Sequence, residues 1–228
     1  MAKEHITKPE EETLGAAMTR AESFFEENSK KVVFILIGLL VLAALIFGYK
    51  KLISEPRISK AAELIAEAQT RFGAEDTDYK LALEGDANGV GFLDVVEQYG
   101  STPAGNLAAQ YAGICYFKLG DMENAAKYLA KYSAVKGIPG AIINAQNLGL
   151  QGDIAVEQKD YAKAVSFYDK AVKAADNDLT TPMYLRKAGL AERAQGNNEK
   201  AKVYFEKILS EHPASMDARE ADKLIGNN

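Results

Sequence analysis

Leu185 to Pro213 reads LRKAGLAERAQGNNEKAKVYFEKILSEHP. Two helical stretches lie in it, separated by Gly196-Asn197, residue types that favour a tight turn. Leu185, Ala188 and Gly189 mark one face of the first stretch. Ala201, Phe205 and Ile208 recur at helical spacing on the second. The small residues let the two helices approach closely, and the aromatic fills the gap to the next pair. Pro213 closes the unit, because proline cannot continue a helix.

The same arrangement stands twice upstream. One copy has Ala109, Ala112, Gly113 and Tyr116, then Gly120-Asp121, Ala125 and Leu129. The other has Leu148, Gln151, Gly152 and Ala155, then Lys159-Asp160-Tyr161, Ala164, Tyr168 and Ala171. Ala125, Ala164 and Ala201 are 39 and 37 residues apart. This resembles the tetratricopeptide repeat, whose period is about 34 residues, with longer connections between pairs. The pattern departs from the consensus at Lys159, usually glycine, and at Ala155 and Glu192, usually large and apolar. Thr102-Pro103 and Thr181-Pro182 each predict a cap followed by proline in the first turn. Ser215 predicts the start of a closing helix to Ile225. Helices over 57–72 and 92–99 complete the N-terminal end, and 73–91 reads as a loop with a short helix around Tyr79–Leu83. The expected fold is all-α: an N-terminal amphipathic and transmembrane helix, then a tetratricopeptide-like α-solenoid of about three helix pairs with flanking helices.

The transmembrane expectation rests on VVFILIGLLVLAALIFGY, Val32 to Tyr49, between Lys30-Lys31 and Lys50-Lys51. Eighteen residues of helix span about 27 Å, at the short end for a bilayer core of about 30 Å. A buried core helix rarely lacks a polar face entirely, and no A-x-A-like cleavage site follows the run. The chain therefore divides into a tail over 1–31, a span over 32–49 and a domain over 50–228. Lysines and arginines flank both ends, so charge leaves the orientation open. Pro56 predicts a boundary or kink near Glu55. The Glu10-Glu11-Glu12 region reads as a solvated end. From Thr13, a candidate cap, Leu14, Ala17, Met18, Ala21, Phe24 and Phe25 form an apolar stripe that suits a protein partner or the membrane interface. Ala43, Ala44 and Gly48 give a small-residue face for a neighbouring helix or for lipid.

Chemistry is sparse. The net charge of −5 argues against nucleic acid as a partner. The single cysteine, Cys115, falls on an apolar helix face and reads as a core residue. His5 and His212 are isolated. Glu75, Asp76 and Asp78 lack the glycine and terminal glutamate of a calcium loop. Gly85, Gly89 and Gly91 follow no strand, which argues against a phosphate-binding loop. No catalytic set, metal or cofactor is expected, and the protein reads as a non-enzyme. Function then lies on surfaces. Repeat position places Gln110, Ile114, Phe117, Asp153, Arg186, Leu190 and Arg193 on the inner, first-helix face. Ile114, Phe117 and Leu190 suit apolar polypeptide segments there, while burial of Ile114 and Phe117 between helices is the alternative.

Ser23-Phe24-Phe25-Glu26-Glu27-Asn28-Ser29-Lys30-Lys31 resembles the membrane entry of YfgM-type proteins, which carry an FFxEN stretch before their single span. Phe24, Phe25 and Asn28 are its matching positions. GFLDVVEQYGSTPAGNLAAQYAGICYFKLGD, Gly91 to Asp121, and NDLTTPMYLRKAG, Asn177 to Gly189, resemble the Bacteroidetes branch of that family. The resemblance implies a bacterial inner-membrane protein with a cytoplasmic tail and a periplasmic repeat domain. It further implies association with the SecYEG translocon, with a PpiD-like periplasmic chaperone and with nascent secreted polypeptides. An adaptor for another envelope assembly, such as division or outer-membrane biogenesis, is the alternative.

Overall fold

The computed structural model describes residues 9–73 and 77–226. His5, Glu75 and Asp76 lie outside the described residues. The chain divides into two compact units, Met1–Pro56 and Arg57–Asn228.

The first unit is built on helix α1, Pro9–Tyr49, which breaks from helical angles at Asn28 (φ −115°, ψ 16°). The Asn28 side chain donates to the Phe24 carbonyl at 3.1 Å, competing with the backbone for that acceptor. The helix starts at Pro9, not at Thr13, and takes in the acidic run read above as a solvated end. Proline suits the first helical position, and acids suit a first turn because the helix dipole is positive there. Among the described residues, one helix is long and apolar enough to cross a membrane, and none of its apolar window is buried. A π-helical turn, Lys50–Ser54, follows, closed by the Glu55 N–H donating to the Lys50 carbonyl. Proline clashes with the carbonyl four residues before it, and widening the turn ahead of Pro56 relieves this. The expected boundary or kink takes the form of this local π-helical widening.

In the second unit, α2 (Glu55–Phe72) precedes α3 (Tyr79–Glu84), a two-stranded antiparallel hairpin, β1 (Gly85–Asp86) with β2 (Gly89–Val90), and α4 (Phe92–Tyr99). The hairpin replaces the loop expected there. Arg71 holds it, donating to the Gly89 and Val90 carbonyls at 2.9 Å each. Phe92 is fully buried and stacks on Tyr111 at 4.8 Å, closing this end of the core.

Three helix pairs follow: α5 (Pro103–Lys118) with α6 (Met122–Lys131), α7 (Gly140–Glu157) with α8 (Tyr161–Ala174), and α9 (Thr181–Ala194) with α10 (Asn198–Glu211). Helix α11 (Met216–Gly226) closes the stack, its Ala218 N–H bonded to Ser215 Oγ at 3.1 Å. Thr102 caps α5 as expected, accepting from the Gly105 N–H at 3.1 Å. Thr181 instead becomes the first residue of α9, and its hydroxyl donates to the Ala175 carbonyl at 3.1 Å.

One device joins each pair. Gly113, Gly152 and Gly189 sit on first helices, each beneath a large side chain sixteen residues later: Leu129, Tyr168 and Phe205. A methyl group at these glycines would lie 2.6, 2.5 and 2.5 Å from those side chains. The turn within each pair needs a left-handed residue. Gly120 (φ 80°) and Gly196 (φ 81°) supply it cheaply, and Lys159 adopts φ 59° without a glycine's freedom.

Candidate protein interface

Successive repeats are tied by polar pairs roughly one period apart. Lys187 donates to both carboxylate oxygens of Asp153, at 2.8 and 2.7 Å, and Tyr168 donates to the same group at 2.7 Å. Tyr204 donates to Asp169 at 2.9 Å, and Asn147 donates to the Gln110 carbonyl oxygen at 2.5 Å. Arg186 meets Asp217 at 2.6 Å, and Arg193 donates to the Leu224 carbonyl at 2.6 Å while lying over the Phe205 ring.

Four of the seven inner-face candidates, Gln110, Asp153, Arg186 and Arg193, are thus engaged in holding repeats together. Gln110 is buried, 3% exposed. Phe117 is half-buried against Ala125, Leu129 and Ile154, and Ile114 is also half-buried. Leu190 differs. It is 36% exposed and lines an open cleft of about 190 Å³ between α7, α8 and α9. Val156, Tyr161, Tyr168, Ala191 and Ala194 complete its apolar wall, with Lys187 at the rim. Such a cleft accepts an apolar side chain or the ridge of an amphipathic helix. Val156 and Tyr161 carry no repeat-consensus signal for binding, which is why sequence reasoning missed them.

Electrostatics support a structural role for the ties. Burial, then hydrogen bonding to Asp153, raises the Tyr168 hydroxyl far above its usual range. Burial pushes Tyr184 up to about 12, with the Asp153 charge contributing. Both hydroxyls stay protonated at neutral pH, and Tyr168 acts as a donor. Cys115 is fully buried and is pushed up to about 12 by burial. Among the described residues, no group of three histidine, cysteine, aspartate or glutamate side chains is placed to hold a metal ion.

The first unit holds the remaining candidates. Phe24 and Phe25 are exposed and meet edge to face at 6.1 Å. Asn28 is half-buried and accepts from Lys31 at 3.2 Å. Ala43 and Ala44 are exposed, and open space surrounds Gly48.

This architecture is that of an all-α helical-repeat protein of tetratricopeptide type. Tetratricopeptide repeat families match residues 108–134, 145–178 and 184–215, each range falling on one of the three helix pairs. Repeats of this kind mark a protein–protein interaction adaptor. No curated protein matches the sequence. Among solved structures, the crystal structure of MamA protein is 18% identical over 86% of this chain and 92% of that chain, with a TM-score of 0.45. So loose a likeness supports nothing further.

Proposed function

We propose that this protein is a non-enzymatic, single-pass membrane adaptor at the bacterial Sec translocon. Residues 1–31 form a cytoplasmic tail, 32–49 span the inner membrane, and the domain from residue 50 faces the periplasm. There it meets a PpiD-like chaperone, emerging secreted chains, or both. The observation that carries the reading is one chain holding an unburied apolar helix and a repeat domain with an open apolar cleft. Tethering beside a channel exit raises the local concentration of emerging segments without any catalytic step. The FFxEN entry supports the choice of assembly.

Native purification through a tag at Asn228 tests this. SecY and a PpiD-like chaperone should be recovered together. Recovery of division or outer-membrane biogenesis proteins without any Sec component would replace the translocon with another envelope assembly. Leu190→Asp should reduce recovery of the periplasmic partner while leaving the fold intact. Phe24→Ala with Phe25→Ala should weaken recovery with membrane insertion unchanged.

A further inference from the structure

The connection between α6 and α7 is longer than a standard repeat connection, and its path has a chemical logic. Residues 132–136 form no helix, and Tyr132 starts the run in an extended conformation (φ −68°, ψ 127°). Two asparagines hold it. Asn106, on α5, donates to the Ser133 carbonyl at 2.8 Å and accepts from the Ser133 N–H at 2.7 Å. Asn144, on α7, donates to the Val135 carbonyl at 2.9 Å and accepts from the Val135 N–H at 3.0 Å. Each carboxamide thus pairs with both backbone groups of one residue, as a neighbouring β-strand would. The two residues are two apart, the step at which an extended chain presents the same edge, about 7 Å on. These four bonds go to backbone atoms and read no side chain; the Tyr132 hydroxyl adds a fifth, donating to the Asn144 side-chain oxygen at 2.8 Å.

An open pocket of about 350 Å³ borders this segment, lined by Tyr132 and Ala134 of the strap, the apolar Leu129, Leu148 and Phe167, and the polar Asn144, Asn147 and Gln151. Ala134 is the side chain set between the two clamped residues, and it is too small to fill that space.

We infer that Asn106 and Asn144 form a backbone-reading clamp for an extended polypeptide, closed in this conformation by the chain's own strap, residues 132–136. The occupant that displaces the strap is an unfolded segment with a larger apolar side chain at the position of Ala134. Main-chain pairing supplies tolerance of sequence, and the cavity supplies a preference for apolar residues. The inference deepens the function proposed above by naming what the domain holds. It involves the isolated protein alone, so it stands or falls separately from any Sec association.

The test uses the full chain in detergent and a fluorescent synthetic peptide. The peptide has the sequence of residues 131–137, with leucine at the Ala134 position. Ser133→Pro with Val135→Pro removes both strap N–H donors and leaves the two asparagines in place. This opened chain should bind the peptide on the order of tenfold more tightly than the unaltered chain, because a tethered competitor occupies the site in the latter. Adding Asn106→Ala and Asn144→Ala should abolish the gain. Methylating the two matching peptide nitrogens should do the same. A second opened chain, with a Gly-Ser insertion after Gly137, guards against misfolding of the proline variant. Equal binding by opened and unaltered chains, binding that survives loss of both asparagines, or no binding at millimolar peptide would each overturn the clamp.

Discussion

Replacing Gly189 with alanine tests the packing of the repeats, because two effects oppose each other there. In a helix interior, alanine is favoured over glycine by about 1 kcal/mol. If propensity governed, Gly189→Ala would stabilise the domain. The structure predicts the opposite sign. The added Cβ would lie 2.5 Å from Phe205 Cε1, 2.9 Å from Cζ and 3.0 Å from Cδ1. Carbon atoms pack comfortably at about 3.5–4.0 Å, so the overlap is about 1 Å. The Phe205 ring is 0% exposed, which leaves it no open side to move toward. Overpacking of this kind costs about 1–3 kcal/mol. Subtracting the propensity gain leaves a net destabilisation of about 1 kcal/mol, or about 2–4 °C in Tm for a chain of this size. Circular dichroism in detergent, by urea titration and thermal melting, reads it directly. A double variant with Phe205→Leu should recover about 1 kcal/mol relative to the sum of the single changes. A rise in Tm for Gly189→Ala alone would refute the close-approach reading of all three pairs.

Lys159 carries the left-handed turn that glycine carries in the other two repeats, so Lys159→Gly should stabilise the domain by up to about 1 kcal/mol, seen as a higher urea midpoint. Cys115, fully buried and pushed up to about 12, should resist a thiol reagent at pH 8 in the folded chain and react on unfolding; native labelling at the free-thiol rate would contradict its burial. Tyr184 in the folded chain is raised to about 12 from an unfolded value near 10. The folded state therefore holds its proton more tightly, and this contribution is complete below pH 10 and lost as pH rises toward 12. The urea midpoint should fall across that window, and Tyr184→Phe should make the fall shallower.

The helix pairs were legible because their determinants are local and periodic. Gly113, Gly152 and Gly189 announce close approach, and Gly120 and Gly196 announce turns. The hairpin at 85–90 was not legible. Its strands are two residues each, too short for alternation to register, and Arg71 on a distant helix fixes it. The strap registers in the sequence as spacing alone, since the pairing of Asn106 with Ser133 spans 27 residues and leaves no periodic trace. Among the interface candidates, Asp153 and Arg186 looked available because a sequence shows charge without showing its partner. The sequence does carry one signal of these ties: Asp153 and Lys187 stand 34 residues apart, as do Asp178 and His212. Stacked repeats bring positions about one period apart together, so complementary groups at that separation mark inter-repeat ties.

The proposed role at the translocon depends most on which side of the proposed membrane span holds the repeat domain. Lys200 is exposed on α10, and the native cysteine is buried, so Lys200→Cys supplies a single reactive site. A membrane-impermeant maleimide applied to intact spheroplasts should label it fully without lysis, which is the result for a periplasmic domain. Labelling that appears only after the inner membrane is broken would place the domain in the cytoplasm and contradict a role at the translocon exit.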